Sequence, residues 1–196
     1  MEHSEGKVFG IGLSKTGTTS LYAALHELGY RSGTYGHLKS LGLEEWFRGD
    51  FSRDYLRDYD ALTDLPIGCF YPQLDRRYPG SKFILTVRDL EPWLESCRRQ
   101  FTRDPDLDLG FARDVRMAAY ATSTYNEARF RFAHATHRQN VEWYFKDRRN
   151  DLLVLDLFGG EGWAELCEFL GRDAPLIPFP NVKPGYRVEQ HASSQA

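Results

Sequence analysis

The sequence predicts one α/β domain built on a central parallel β-sheet flanked by helices. Short apolar runs alternate with amphipathic segments along the 196 residues, an order typical of parallel sheets. A segment rich in glycine and threonine follows the first apolar run, where such folds hold ligands at the carboxyl ends of the strands. We expect residues 1–190 to form this single domain and residues 191–196 to form a disordered tail.

The amino-terminal half opens with a strand, a tight loop and a helix. Residues 7–13 form an apolar run with β-branched and aromatic side chains, followed by Ser, Gly and Thr residues. Residues 18–28 place apolar side chains at the 3.6-residue spacing of one buried helix face, and Gly29 follows as a helix-ending glycine. Shorter patterns predict strands near residues 30–35 and 61–64 and a helix near 43–48.

The carboxyl-terminal half continues the alternation around a long helical stretch. Residues 81–87 predict a central strand and residues 92–101 the helix after it, with Pro92 in the first turn. Residues 109–149 lack proline and are rich in Ala, Arg and aromatic residues, which predicts two long helices or one broken helix over the sheet. A strand at residues 151–157 and a helix at residues 162–170 complete the pattern.

Composition restricts the class of function. The formal net charge of −3 and the pI of about 6.1 argue against a dedicated nucleic-acid binder, since such domains are usually strongly basic. No apolar stretch typical of a signal peptide or membrane span precedes the first strand, so we expect a cytoplasmic protein without a transmembrane segment. The scattered cysteines, Cys69, Cys97 and Cys167, are typical of reduced, inert thiols.

Two histidines, His134 and His137, are three residues apart on a predicted helix and would share one face of it. Such a pair is able to hold a metal ion. No third ligand and no H-E-x-x-H pattern accompanies these two residues, so a packed or solvated pair is the favoured interpretation.

Residues 12–20 read Gly-Leu-Ser-Lys-Thr-Gly-Thr-Thr-Ser, a segment suited to binding phosphate. Gly12 and Gly17 let the backbone approach an anion, and the free N–H groups at the start of the following helix point toward it. Lys15 adds a mobile positive charge. A kinase-type loop would read G-x-x-x-x-G-K-[ST], but here threonine follows Gly17 and the lysine precedes it by two residues. The loop therefore differs from that of nucleotide kinases.

The stretch Lys15-Thr-Gly-Thr-Thr19 resembles the loop with which sulfotransferases bind the 5′-phosphosulfate of 3′-phosphoadenosine 5′-phosphosulfate (PAPS). Residues 87–96 resemble the 3′-phosphate site of the same family, with Arg88 at a strand end and Ser96 about two helical turns later. The likeness extends from residue 8 to about residue 171 and implies a P-loop-like fold with the helical insertion over the acceptor site. The cofactor contacts it implies are Ser14, Lys15, Thr16, Gly17, Thr18, Thr19, Ser20, Arg88 and Ser96.

The resemblance also implies how the site closes and works. Family members often cover the cofactor with a loop bearing glycine and lysine near the carboxyl terminus, and residues 181–185 offer Lys183 for this role. Lys15 would neutralise the charge on the leaving phosphate, as positioning and electrostatics do in phosphoryl transfer. The family needs no metal, and the sequence shows no clear set of carboxylates that would hold one.

His37 is the first candidate for the base that deprotonates the acceptor. Several sulfotransferase branches place a catalytic Glu or His just past the second strand, and an ordinary pKa near 6.5 suits a base at neutral pH. Asp64, at the end of the third predicted strand, is the second candidate, either as base or as the partner that orients His37. The alternatives are an ordinary loop histidine and an aspartate that caps a turn.

These features together predict transfer of a sulfuryl group from PAPS to a hydroxyl of a small-molecule, sugar or lipid acceptor. The competing interpretations are a P-loop-type nucleotide or small-molecule kinase, which would need ATP and Mg²⁺, and a non-catalytic nucleotide-binding protein of the same fold. One group of aromatic residues in the helical stretch would either line an acceptor pocket or fill the core: Tyr120, Tyr125, Phe130, Phe132, Trp143, Tyr144 and Phe145.

Overall fold

The structure is a computed structural model that describes residues 6–34, 43–48, 54–102 and 110–182. Its strands are β1 (Val8–Gly10), β2 (Ser32–Gly33), β3 (Ala61–Thr63), β4 (Lys82–Thr86) and β5 (Leu152–Leu155). Its helices are α1 (Thr18–Glu27), α2 (Leu43–Arg48), α3 (Tyr71–Arg77), α4 (Leu90–Phe101), α5 (Phe111–Tyr120), α6 (Glu127–Tyr144) and α7 (Trp163–Leu170). Short 3₁₀ turns occupy Asp54–Asp58, Ile67–Cys69 and Arg149–Asp151.

The five strands form one sheet in the order β2-β3-β1-β4-β5, and every pairing is parallel. In the centre, Phe9 of β1 lies opposite Leu62 of β3 and Phe83 of β4. Because all the strands run in one direction, the loops that leave β1, β3 and β4 meet at the same edge of the sheet. The parallel α/β sheet predicted from the sequence is confirmed.

Helices cover both faces of the sheet. Val8 and Ile84 pack in a cluster with α1 and α7, whereas their neighbours Phe9 and Phe83 pack with residues of α2, α3 and α6. Alternate strand residues point to opposite faces, so these clusters are the two sides of one sheet. A third cluster around Trp93 joins α4, α5 and α6.

The element bounds differ from the predicted ones for local reasons. β1 ends at Gly10, where the chain turns into residues 11–17, which we name the phosphate loop after the ligand that the sequence predicts for them. α4 begins at Leu90, since Pro92 is accommodated within its first turn. α3 was not predicted, because it is only seven residues long and buries two side chains, Tyr71 and Leu74. The stretch of residues 109–149 contains two helices, separated where Ala121 adopts a left-handed φ of 53°.

The aromatic residues of α5 and α6 divide between core and surface. Tyr120, Phe130 and Phe145 are each no more than 2% exposed, so they fill the core, whereas Phe132 and Trp143 are 68% and 69% exposed.

The three cysteines are free thiols. Among the described helices, none combines the length and the apolar character that crossing a membrane requires. The predicted tail at residues 191–196 lies outside the described residues.

Candidate functional site

The loop between β1 and α1 has a backbone that tolerates few substitutions. A Cβ added to Gly12 would lie 2.0 Å from Oγ1 of Thr86. Gly17 has a φ of 99°, in the left-handed region that glycine enters without cost, and it immediately precedes α1. Lys15 also adopts a left-handed φ, 74°, which is uncommon for a residue with a side chain and is typical of functional sites.

Hydrogen bonds from side chains hold the loop in place. Gly17, the cap residue of α1, has no side chain that could bond to the N–H groups of the first turn, which leaves these groups suited to an anion. Three successive carbonyl oxygens of the loop accept from side-chain donors: Leu13 from Thr16 Oγ1 (2.7 Å), Ser14 from Trp93 Nε1 (2.9 Å) and Lys15 from Arg88 Nη1 (3.3 Å).

Thr16 fixes the loop to the end of β4. Its hydroxyl gives its proton to Leu13, so the hydroxyl of Thr86 must be the donor in the 2.6 Å contact between the two threonines. Both side chains are buried, at 3% and 1% exposure. The side chain of Thr16 therefore holds the shape of the loop, and its contact with the cofactor stays a prediction.

Lys15 and Arg88 bring two positive charges to one place. Burial is the main cause that lowers the pKa of each, and the charge of Arg99 also lowers both pKa values, whereas the nearby Asp64 raises the pKa of Lys15. Neither forms an ion pair with any carboxylate in the described ranges. Burial raises the pKa of the neighbouring Cys97 thiol to about 12, so this thiol is neutral and offers no counter-charge. The two cations thus leave room for an anionic ligand.

The guanidinium of Arg88 is half-buried beside an aromatic ring. Its Cζ lies 3.9 Å from the centre of the Phe158 ring, a cation–π contact. Its Nε is buried and has no hydrogen-bond partner within the described part of the chain. A buried donor without a partner is unusual and indicates a ligand or a water molecule at this position.

Asp64 lies directly after β3 at the same edge of the sheet. Its φ of 72° is left-handed, and its carboxylate accepts a hydrogen bond from the Ser14 hydroxyl at 3.1 Å. Burial raises the pKa of Asp64, against the opposing effects of the Leu65 N–H group, the Ser14 hydroxyl and the charge of Lys15. A carboxylate with a raised pKa beside a lysine is chemically suited to accept a proton.

The remaining predicted residues occupy the surroundings of the loop. Thr18 is buried at the start of α1, and Thr19 is partly exposed. Ser20 accepts a hydrogen bond from the Val182 N–H at 3.3 Å, which places the start of the predicted closing loop beside the phosphate loop. Ser96 is partly exposed on α4, next to the buried Cys97. His37 and Lys183 lie outside the described residues.

Four residues at this edge were not assigned to the site from the sequence. Trp93 and Thr86 hold the loop, as described above. His134 and His137 donate from α6 to the carbonyl oxygens of Arg88 and Ile11. These partners are far away in sequence, so only the three-dimensional fold identifies them. In the described ranges, no group of three or more side chains is arranged to hold a metal ion.

The parallel sheet and the loop after β1 are typical of α/β proteins that bind phosphate groups, and comparison with known proteins identifies the family. The family model described as the sulfotransferase domain matches residues 7–187, so the chain belongs to the sulfotransferase family. It is 29% identical over 213 aligned residues to a protein of Aspergillus versicolor, Ava biosynthesis cluster protein M. The alignment covers 90% of this chain and 80% of that protein.

Proposed function

We propose that this protein transfers a sulfuryl group from PAPS to a hydroxyl of a small-molecule acceptor. The observation that carries the proposal is the contact between Arg88 and Lys15, because it joins the strand-end arginine to the phosphate loop. PAPS has anionic groups at both its 5′ and 3′ positions. Two adjacent cations, neither of them in an ion pair within the described residues, match a ligand of that kind.

The residues at this edge of the sheet fit the cofactor. The glycine at position 12 packs so closely that a side chain would collide with Thr86, and the φ of Gly17 favours glycine. The buried Nε of Arg88 offers a donor to the 3′-phosphate, with Ser96 on the following helix. The loop contacts proposed for the phosphosulfate are Ser14, Lys15, Gly17, Thr18, Thr19 and Ser20, together with the backbone of Thr16, and Lys183 is proposed to close the site.

PAPS supplies a sulfuryl group on a phosphate leaving group. Lys15 stabilises the negative charge that develops on that phosphate, as oriented cations do in related transfers. Asp64, beside Lys15 and with its pKa raised by burial, is proposed either to accept the proton of the acceptor hydroxyl or to orient His37 for that role. His37 remains the first candidate for the base.

The acceptor is proposed to be a small molecule. The Aspergillus relative is named as a protein of a biosynthesis cluster. That name favours a small molecule over a macromolecule as the acceptor. The helices α5 and α6 pack beside Trp93, whose indole binds the phosphate loop, so they are proposed as the wall of the acceptor site. Sugars and lipids are the other acceptor classes to test.

Radiolabelled PAPS offered with a panel of phenols, sugar alcohols and lipid alcohols tests the proposal. We expect label to reach an acceptor in the presence of a metal chelator and to be lost in Lys15→Ala. The exposed Lys146→Ala variant is the matched control. Transfer from ATP with Mg²⁺, or binding of PAPS without transfer to any acceptor, would contradict the proposal.

A further inference from the structure

The two histidines of α6 reach the two strand ends that frame the candidate site. Nε2 of His137 lies 2.7 Å from the carbonyl oxygen of Ile11, which follows β1 and leads into the phosphate loop. Nε2 of His134 lies 2.9 Å from the carbonyl oxygen of Arg88, which follows β4. A carbonyl oxygen only accepts, so each Nε2 carries a proton and donates it.

We propose that His137 and His134 are positioning residues that separately fix the two phosphate subsites. His137 holds the strand end that leads into the loop for the 5′-phosphosulfate. His134 holds the backbone of the arginine assigned to the 3′-phosphate. The inference rests on the proposed function, because it divides the histidines between the two anionic groups of PAPS.

Arg88 is held both through its side chain and through its backbone. Its guanidinium makes one hydrogen bond to the loop, at 3.3 Å, and its Nε has no partner among the described residues. The bond from His134 to its carbonyl oxygen is shorter, at 2.9 Å. His134 therefore supplies the shorter of the two hydrogen bonds, alongside the cation–π contact between the guanidinium and Phe158.

Aromatic packing orients both imidazoles. The His134 ring packs against Trp93 with ring centres 4.9 Å apart, and Trp93 itself donates to Ser14 of the loop. The His137 ring meets the Tyr71 ring edge-on, with centres 6.2 Å apart. Burial lowers the pKa of His137, which keeps the ring neutral, and its Ile11 partner selects the tautomer protonated at Nε2.

The two histidines line one small cavity whose other neighbours are both polar and apolar. A cavity of about 30 Å³ lies between α6 and the phosphate loop, and this volume is enough for a water molecule. Thr16, Thr86 and Arg88 line it together with both histidines, and its apolar wall is formed by Leu13, Leu85 and Val87. The imidazoles thus face the same small cavity as the two threonines that hold the loop.

Titration of two nucleotides against matched variants tests the division of roles. 3′-Phosphoadenosine 5′-phosphate carries both phosphates, and adenosine 5′-phosphate carries only one. We expect His137→Leu to weaken both nucleotides by a similar factor, about tenfold for the loss of one hydrogen bond. We expect His134→Leu to weaken the bisphosphate by about tenfold and to leave the monophosphate unchanged.

Conservative variants show whether a loss of nucleotide affinity comes from lost positioning or from a general loss of stability. Glutamine places an amide donor near the position of Nε2, so His137→Gln and His134→Gln should restore the affinities. Gln139→Leu, exposed on the same helix, is the control. If the leucine variants do not fold, His137→Asn and His134→Asn, whose amides are too short to reach the carbonyl oxygens, give the same comparison.

The outcomes separate a failure of this inference from a failure of the proposed function. If the parent protein binds the bisphosphate but His134→Leu weakens both nucleotides equally, or weakens neither, the inference is overturned and the proposed function is not. No rescue by the glutamine variants would also overturn it. A parent protein that does not bind the bisphosphate would overturn the proposed function and this inference with it.

Discussion

Nη1 of Arg88 donates to the carbonyl oxygen of Lys15 across 3.3 Å, although 73 positions separate the two residues in the sequence. The bond joins the loop after β1 to the residue that follows β4, two strands that are neighbours in the sheet. Two motifs that look independent in the sequence therefore form one cationic site. This site and its supports lead to five predictions.

Removal of the loop lysine should affect turnover more than nucleotide binding. Lys15→Ala is expected to lower kcat by about 10²- to 10³-fold, as the loss of a group that stabilises transition-state charge does. Affinity for the product nucleotide should fall much less. Steady-state kinetics with calorimetry on Lys15→Ala and Lys146→Ala measure both effects. A kcat within twofold of the parent value would refute the assignment.

Comparing alanine variants of two glycines with positive φ distinguishes the cost of backbone strain from a role in the site. Gly17 has a φ of 99° and would place a Cβ 2.8 Å from Leu157, whereas Gly29 has a φ of 85° and open space around it. Each Gly→Ala change should cost about 1–2 kcal/mol of unfolding free energy through its backbone conformation. Only Gly17→Ala should also lose nucleotide affinity. Urea unfolding and calorimetry test this, and equal loss of affinity in both variants would contradict it.

The hydroxyls of Thr16 and Thr86 should be energetically coupled. Their 2.6 Å contact is buried, so removing one hydroxyl leaves the other without part of its hydrogen bonding. In a double-mutant cycle of Thr16→Val and Thr86→Val, we expect a coupling energy of about 0.5–3 kcal/mol. Thr136→Val on α6, paired with Thr86→Val, is the control and should show additivity. Additivity in the first cycle would mean that the contact does not hold the loop.

The stability of the protein should depend on the ionisation of Asp64. Burial raises its pKa above the ordinary value of 3.8, so the folded protein binds this proton more tightly than the unfolded chain does. Its contribution to stability is fully present below pH 3.8 and is lost as the pH rises through the raised pKa. Asp64→Asn should therefore be more stable than the parent at pH 7, and this gain should shrink toward pH 3.

Denaturant unfolding at several pH values measures that difference. The exposed Asp147→Asn variant should show no such gain. An Asp64→Asn variant less stable than its parent at pH 7 would show that the Ser14 and Lys15 interactions outweigh the cost of burial. Turnover should fall in Asp64→Asn at every pH tested, since the amide neither accepts a proton nor carries the charge.

The sequence alone predicted the parts of the fold that local patterns control. The strand that enters the phosphate loop, α1 with Gly29 after it, and the helix of residues 43–48 follow from apolar spacing and turn residues. α3 was missed because its short length and its few buried residues give a weak helical pattern. The end of α5 could not be predicted, because Ala121 adopts a left-handed backbone there and alanine is not a residue type that indicates one.

The site was predicted less completely than the fold. Glycine, lysine and arginine at motif spacing indicated the anion-binding loop and its partner. The supports of the loop could not be predicted, since Trp93 and His137 meet Ser14 and Ile11 only through long-range packing. The buried state of the Thr16 side chain likewise depends on Thr86, 70 residues away.

Calorimetric titration without metal tests the central claim, that the site binds the PAPS nucleotide. The ligands are 3′-phosphoadenosine 5′-phosphate, adenosine 5′-phosphate and ATP with Mg²⁺, each against the parent protein and Arg88→Ala. We predict roughly micromolar binding of the bisphosphate, in preference to the other two nucleotides, and its loss in Arg88→Ala. Preference for ATP with Mg²⁺, or bisphosphate affinity unchanged in Arg88→Ala, would contradict the account.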